Sequence, residues 1–510
     1  MRCSRRGDRP SMSGANRSAL LSPITAYLQQ LHATYARVQD GNVASYIPEL
    51  SRANPNWFGI CLATTDGQVY EVGDTRQPFT IQSISKPFVY GLVLEDHGKD
   101  AVLQKIGVEP SGDAFNSISL YPDSGRPFNP MINAGAIATT GLVRGVDTAD
   151  RLRRILRMFG RYSGQAKTVD HLVYQSEKST GHRNRAIGHM LRNFAILADD
   201  PEPVLDLYFQ QCAITVTCRD LAVMAATLAN GGLNPLTGQR AVRQEPVESI
   251  LSIMSTCGMY DSAGEWIYKV GMPAKSGVAG GILAVLPGQL GIGVFSPRLD
   301  THGNSVRGIH VCQELSQMFN LHLFNAPVVT KSVIRTRYDA TQINARRVRA
   351  PQMSRVLQQQ GKRIRVYELQ GNLVFSTVEV VIRDIISSLD AVDFVILDLK
   401  RVTRFDAIAC HLLRQLLQTV TAQQCILLFS HVDRTSPFVT YILGQVGTDG
   451  HHGPLLYADH DFALEWCEDQ LLACELGISQ ADAILPLAEH QRATGSPSAT
   501  YSTCRVCSNI

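Results

Sequence analysis

Gln82-Ser83-Ile84-Ser85-Lys86 is followed by Pro87 and by an apolar stretch from Phe88 to Leu94. Proline lacks the N–H that an interior helical position must donate, so the helix predicted here begins within a residue or so of Ser83. Residues three apart share a helix face, so the Ser83 hydroxyl and the Lys86 amine can meet, and both feel the positive end of the helix dipole. A serine hydroxyl is a poor nucleophile until a base takes its proton, and an amine can do so only when neutral. The lysine pKa must therefore fall from about 10.4 towards about 7, the direction in which burial and a helix N-terminus both act. A capping serine followed by a solvated first-turn lysine would spell the same letters. The rest of the domain has to decide.

Two further boxes do so. Lys275-Ser276-Gly277 precedes Val278-Ala279-Gly280-Gly281 and an apolar, strand-like run from Ile282 to Leu286, in the manner of the strand that walls serine-acyl sites. A phosphate-binding Walker loop would need glycine where Lys269 and Ala274 stand, so that reading fails at two positions. Small residues here let a substrate lie against backbone, with the N–H groups of Ser83 and Val278 offered as an oxyanion hole. Tyr260, in Cys257-Gly258-Met259-Tyr260-Asp261, lies in a polar break after the helix-like Val247 to Met254. Its phenol could relay a proton between serine, lysine and leaving amine.

The chain has 510 residues, 45% hydrophobic and 18% charged, enough for two or three domains with real cores. Forty-eight Lys and Arg against forty-five Asp and Glu leave a net charge of +3, far from the excess of a nucleic-acid binder. No apolar run reaches the roughly 18 residues of a membrane span, and the basic start lacks the apolar core of a secretory signal, so the cytoplasm is the expected location. The twelve cysteines are scattered, with the close pair Cys504 and Cys507 in a polar tail. They are read as reduced thiols, with no metal site and no cofactor.

Residues 1–18 are basic and Ser/Gly-rich and are expected to be disordered. From 19 to 327 amphipathic helices alternate with short strands, such as Trp57 to Leu62, Leu221 to Leu228 (helix) and Gly291 to Phe295, which gives an α/β (α+β) domain. Residues 328–360 are polar and basic (Arg335, Arg337, Arg346, Arg347, Arg349, Arg355) and are read as a linker. A smaller βαβ domain is predicted over 361–478: strands Arg363 to Leu369, Phe394 to Leu399 and Cys425 to Ser430, with helices Val378 to Leu389, Ala407 to Val420 and Phe462 to Leu472. Residues 479–510 read as a disordered tail.

With these boxes assembled, the stretch from about Thr25 to Asn325 resembles the serine-dependent glutaminases, whose fold is that of the β-lactamases and penicillin-binding proteins. The resemblance rests on Gln82 to Lys86, Asn129-Pro130-Met131-Ile132-Asn133-Ala134-Gly135, Gln175-Ser176-Glu177, Arg183-Asn184, Asp206-Leu207-Tyr208-Phe209, Ala225 to Gly232, Cys257 to Asp261 and Pro273 to Gly281. It implies hydrolysis of L-glutamine to L-glutamate and ammonia: Ser83 as nucleophile, Lys86 as its base, and Tyr260 assisting proton transfer. It places substrate-binding positions at Ser83, Asn133, Glu177, Asn184, Tyr208, Tyr260 and Val278. The set suits free glutamine, since Glu177 can meet the α-ammonium while Asn133, Asn184 and Tyr208 donate to the α-carboxylate and the Val278 amide addresses the oxyanion. The segment Tyr46-Ile47-Pro48-Glu49-Leu50 is expected to cover the pocket. The family also implies a homo-oligomer, with a homotetramer the leading expectation.

The second domain resembles the STAS domain, on Val395-Ile396-Leu397-Asp398-Leu399-Lys400-Arg401-Val402-Thr403 and Phe405-Asp406-Ala407-Ile408-Ala409. The resemblance implies a regulatory or docking module for a protein or small-molecule partner. In anti-sigma-factor antagonists a phosphorylatable Ser or Thr follows the Asp of this loop, whereas Ala407 and Ile408 follow Asp406. Two other readings compete with the glutaminase one. A penicillin-recognising hydrolase would share the Ser83, Lys86 and Lys275-Ser276-Gly277 geometry, but a β-lactam offers Glu177 and Asn184 no free α-ammonium of that kind. A non-catalytic amino-acid sensor would signal through the STAS-like domain.

Overall fold

The computed structural model describes residues 22–112, 117, 120–325, 333–433, 435–443 and 455–477. The predicted disordered segments 1–18 and 479–510 lie outside them. The chain divides into a first unit, Ile24–Ala326, and a second unit C-terminal to it.

The first unit is built on β1 (Gly59–Thr64), β2 (Val69–Gly73), β5 (Ala274–Gly277), β6 (Gly281–Leu286) and β7 (Leu290–Phe295), antiparallel in the order β2-β1-β7-β6-β5. Every residue of β1, β5, β6 and β7 is buried, so these strands read as continuous apolar or small-residue runs rather than alternating ones. Both faces are covered by helices. On one face lies Cys218–Ala229, opened by a capping box between Thr217 and Asp220. It approaches closely because Gly291 and Gly293 carry no side chain: a Cβ there would fall 2.2 Å from Ala226 N and 2.4 Å from Cys218 O. Ile282, which points the other way, meets Gly308 of the helix Val306–Phe319.

Beyond the sheet, helices Lys86–His97, Asn133–Gly141, Pro201–Cys212 and Gln244–Cys257 share a large apolar core. A two-stranded seam, β3 (Phe79–Thr80) with β4 (Thr215–Val216), leads into the turn that carries Ser83. The Ile81 amide adds a 2.8 Å bond to Ile214 O.

In the second unit, β8 (Ile334–Asp339), β9 (Ile364–Leu373), β10 (Phe394–Phe405), β11 (Ile426–Ser430) and β12 (Leu455–Tyr457) form one sheet in reverse chain order. It is parallel except for the edge strand β8. Helices Pro351–Gln360 and His460–Leu476 pack over Val366, Ile396 and Leu428. Helices Phe375–Ser388 and Ala407–Ala422 carry their own buried apolar rows. Asp406 caps the latter, accepting from Ala409 N at 2.7 Å.

Two expectations need correction. The segment 328–360 is not a linker, because it supplies β8 and the helix Pro351–Gln360 to the second unit. Two of its arginines are counterions for a distant helix: Arg349 pairs with Glu468 at 2.9 Å and Asp469 at 2.6 Å, and Arg347 with Glu465 at 2.9 Å. The cysteines are not all thiols. Cys61, Cys212, Cys218, Cys257, Cys312, Cys410, Cys425 and Cys467 are buried and free, but Cys474 is disulfide-bonded. Among the described residues no helix is long and apolar enough to cross a membrane.

Candidate active site

Ser83 lies in a 3-10 turn, Gln82–Ser85, that runs into the α-helix Lys86–His97, with Pro87 in its first turn. The helix thus starts three residues later than the proline alone suggested. Gln82 enters this turn in the left-handed region, φ +50°, a conformation a non-glycine residue keeps only where its surroundings impose it. Ser83 and Lys86 are both buried. Lys86 Nζ donates to Met131 O at 2.9 Å and to Asn133 Oδ1 at 2.8 Å. Its two acceptors are uncharged, and burial pulls its pKa down to about 8, against the pull of Cys212 and Glu177. Roughly a tenth of such amines are neutral at pH 7.

The Ser83 hydroxyl lies within electrostatic reach of the Tyr260 phenol, while the Lys86 amine is held by Met131 and Asn133. Tyr260 OH donates to Ser276 O at 3.2 Å. Burial pushes the phenol up to about 12. Below the ring lies Lys275, its Nζ 4.0 Å from the centroid and bonded to Gly258 O and Ser276 O at 2.7 Å each. Burial, then the charge of Lys86, holds Lys275 well below the usual lysine range. Gly258 permits this approach, since a Cβ there would sit 1.8 Å from Ala274 O.

Four elements bring the remaining polar groups to the same place. Asn133 opens the helix Asn133–Gly141, and its Nδ2 donates to Asn184 Oδ1 at 3.0 Å, from the helix His182–Asn193. Tyr208, on Pro201–Cys212, donates to Asn133 Oδ1 at 3.4 Å. Glu177, on His171–Thr180, is buried, with Gln82 among the groups that act on its charge, while Gln82 Nε2 donates to Thr80 Oγ1 at 3.2 Å. Its Oε2 has no hydrogen-bond partner among the described residues. Burial pushes this carboxyl up to about 8, against Gln82 and Lys86. Such a group either keeps a proton or takes up a cation.

Val278, Asp261 and the segment Asp40 to Tyr46 line a cleft of about 790 Å³. Tyr46 is 55% exposed, and Glu177 and Tyr260 lie within electrostatic reach of its phenol. A smaller pocket of about 90 Å³ reaches from Tyr260 to Asn129, Met131 and Cys257. Ser83, Lys86, Tyr260, Asn133, Glu177, Asn184 and Tyr208, scattered over about 180 positions of sequence, are thus linked to one another by hydrogen bonds or by charge, while Val278 lines the adjoining cleft. A buried serine at a strained turn, a lysine depressed by burial, a buried phenol and a carboxyl with one unpartnered oxygen are thus the polar groups of this region.

Comparison with known proteins gives the chain a family. Residues 41–324 match the glutaminase family model, and residues 356–441 match the STAS domain. Glutaminase 2 of Bradyrhizobium diazoefficiens is 47% identical over 466 residues, covering 91% of this chain and 74% of that protein. The glutaminase of Trichormus variabilis is 60% identical over 303 residues, 59% of this chain and 91% of its own. The crystal structure of Mglu superposes with a TM-score of 0.59 at 39% identity, covering 80% of this chain and 98% of that one. The chain belongs to the glutaminase family, with a β-lactamase-like catalytic fold and a C-terminal STAS domain.

Three residues at the site were not singled out from sequence. Gln82, whose side chain acts on the Glu177 charge, holds a backbone conformation that no local signal announces. Lys275 was read as part of a strand box, not as the floor under Tyr260. Cys212 is buried against Tyr208, with Glu177 and Lys86 in electrostatic range. It follows Tyr208 by four residues on one helix, and that spacing is the signal that could have found it.

Proposed function

We propose that this chain hydrolyses L-glutamine to L-glutamate and ammonia through a γ-glutamyl ester on Ser83. The observation that carries the choice of substrate is Glu177, a buried carboxylate with an unpartnered oxygen beside the nucleophile turn. The α-ammonium of a free amino acid supplies the missing charge, while Asn133, Asn184 and Tyr208 address its carboxylate. Ser83 Oγ attacks the side-chain amide carbon as its proton passes to neutral Lys86. The amide oxygen, now negative, lies against the N–H groups of Ser83 and Val278. Collapse expels ammonia as the proton held by Lys86 is handed to the leaving nitrogen with the Tyr260 hydroxyl assisting, and water then releases glutamate with Lys86 again as base. That Mglu has been solved in its glutamate form supports a pocket of this kind.

The STAS unit acts in this reading as a regulatory or docking module, and the enzyme assembles as a homotetramer. The decisive assay is glutamate release from L-glutamine by the full chain, with L-asparagine and nitrocefin in parallel and sedimentation for the assembly state. Turnover of glutamine with no nitrocefin hydrolysis is expected. Glutamine binding by calorimetry without turnover would move the protein to the sensor class.

A further inference from the structure

Tyr260 sits at φ +57° at the head of a 3-10 turn, Tyr260–Ser262. A non-glycine residue stays there only where neighbours over-determine it. The loop 299–305 supplies those neighbours. Asn304, fully buried, donates from Nδ2 to Ser262 Oγ at 3.0 Å. Ser262 Oγ in turn donates to Met259 O at 2.6 Å, and Ser262 N bonds the same carbonyl at 3.2 Å. The residue just before Tyr260 is thereby held by two donors, one of them backed by Asn304. The Oδ1 of Asn304 is buried without a partner among the described residues. The bonds that hold this side chain in place are thus those its NH2 donates.

The loop is itself preformed. Asp300 Oδ1 accepts from His302 N and from Asn304 N at 2.9 Å each, and Ser305 Oγ is anchored on Ser296 O at 2.7 Å. A second strut, His302 Nδ1 to Asp261 Oδ2 at 3.0 Å, reaches the residue just after Tyr260. The other end of the loop pairs Leu299 with Asn42, each amide bonding the other's carbonyl at 2.9 and 3.0 Å. One loop therefore ties the Tyr260 turn to the segment that runs on to Tyr46.

We propose that Asn304 is a positioning residue for Tyr260, acting through Ser262 and the Met259 carbonyl to aim the phenol between Ser83 and Ser276. The proposal rests on the reading of Tyr260 as proton carrier. Misplacing an acid–base group by about 1 Å can cost on the order of 100-fold in rate.

The test is glutamine turnover by full-chain Asn304→Ala and Ser262→Ala, alone, together, and each combined with Tyr260→Phe. Each single variant should lower kcat by about 10- to 100-fold, with KM within about threefold, because Glu177, Asn184 and Tyr208 lie on other helices. The pair should be no worse than its worse member, and Asn304→Ala should add less than about twofold to Tyr260→Phe. Retained calorimetric binding of L-glutamate marks the variants as folded; Ser262→Ala carries the test if Asn304→Ala does not fold. A KM rise at unchanged kcat, or a loss fully additive on an impaired Tyr260→Phe, overturns the proposal alone. A Tyr260→Phe enzyme with wild-type kcat overturns the proton-carrier reading and the proposal with it.

Discussion

Lys86 Nζ donates a 2.8 Å hydrogen bond to Asn133 Oδ1, and the same amide donates from Nδ2 to Asn184. One asparagine thus joins the lysine to the groups proposed to hold the α-carboxylate. Substrate binding and the lysine's proton are read by the same side chain. In Asn133→Asp, a carboxylate takes the place of a neutral acceptor and favours the cation of Lys86. The acid limb of the kcat–pH profile should move upward by about one pH unit or more, with activity near pH 7 lost in proportion. An unmoved limb beside a lowered plateau would show that Lys86 is not the group being titrated.

For the unaltered enzyme the profile follows from the same burial. Lys86 is drawn down to about 8 and Glu177 is driven up to about 8. Lys86 must be neutral and Glu177 ionised, so kcat/KM for glutamine should rise with pH up to about 8. The Glu177 contribution should weaken once the substrate ammonium is bound and brings the carboxyl back down. The kcat limb, measured at saturation, then reports Lys86. A flat profile between pH 6 and 8.5 would contradict the assignment of both groups.

Ser83→Ala should abolish ammonia release while leaving calorimetric glutamine affinity within about tenfold, since the groups proposed to grip the amino acid lie elsewhere. Turnover retained in that variant would remove Ser83 from the role of nucleophile.

Glu177→Gln separates binding from stability. Loss of a buried charged pair costs about 2–5 kcal/mol, so KM for glutamine should rise by at least about 30-fold. Without substrate the sign reverses. A carboxyl whose pKa is raised by folding keeps its proton in the native state while the unfolded chain has released it, so stability falls as pH climbs from about 4.5 to about 8. The glutamine variant escapes that fall. It should melt several degrees above the parent at pH 8.5 and level with it near pH 4.5, as read by calorimetry. Equal melting points at both values would mean that the carboxylate has partners in solution that compensate its burial.

In the second unit, Arg349 is the test of the corrected boundary. Its side chain is buried against Glu468 and Asp469. Removing one partner of a buried ion pair strands the other charge, at about 3–5 kcal/mol. Arg349→Met should therefore lower the unfolding transition of the second unit while glutamine turnover at low temperature stays near wild type. A melting curve unchanged by this substitution would mean the segment around Arg349 contributes nothing to that unit.

The parts of the molecule legible in sequence are those written in local chemistry. The helix after Pro87, the wall at Lys275-Ser276-Gly277, and the parallel strands at Phe394 and Ile426 announce themselves by breakers and apolar runs. The meeting of Ser83 with Tyr260 does not, because it depends on two non-glycine residues held in the left-handed region, Gln82 and Tyr260. The segment around Arg347 and Arg349 reads as a linker because its neutralising acids lie more than 100 positions away, on the helix His460–Leu476. A charge count along the chain sees the cations and not their partners.

The seam between Phe79–Thr80 and Thr215–Val216, with the Ile81 to Ile214 bond beside it, fixes the start of the nucleophile turn to the chain just beyond the helix that carries Tyr208. On the proposed reading this backbone tie helps set the distance from Tyr208 to Ser83. On that reading the site would act as a ruler. Asparagine, shorter by one methylene, would be gripped correctly at its α-carbon and present its amide short of the serine. It would bind without reacting, and the selectivity for chain length would lie in a pair of two-residue strands rather than in any side chain that touches the reacting bond.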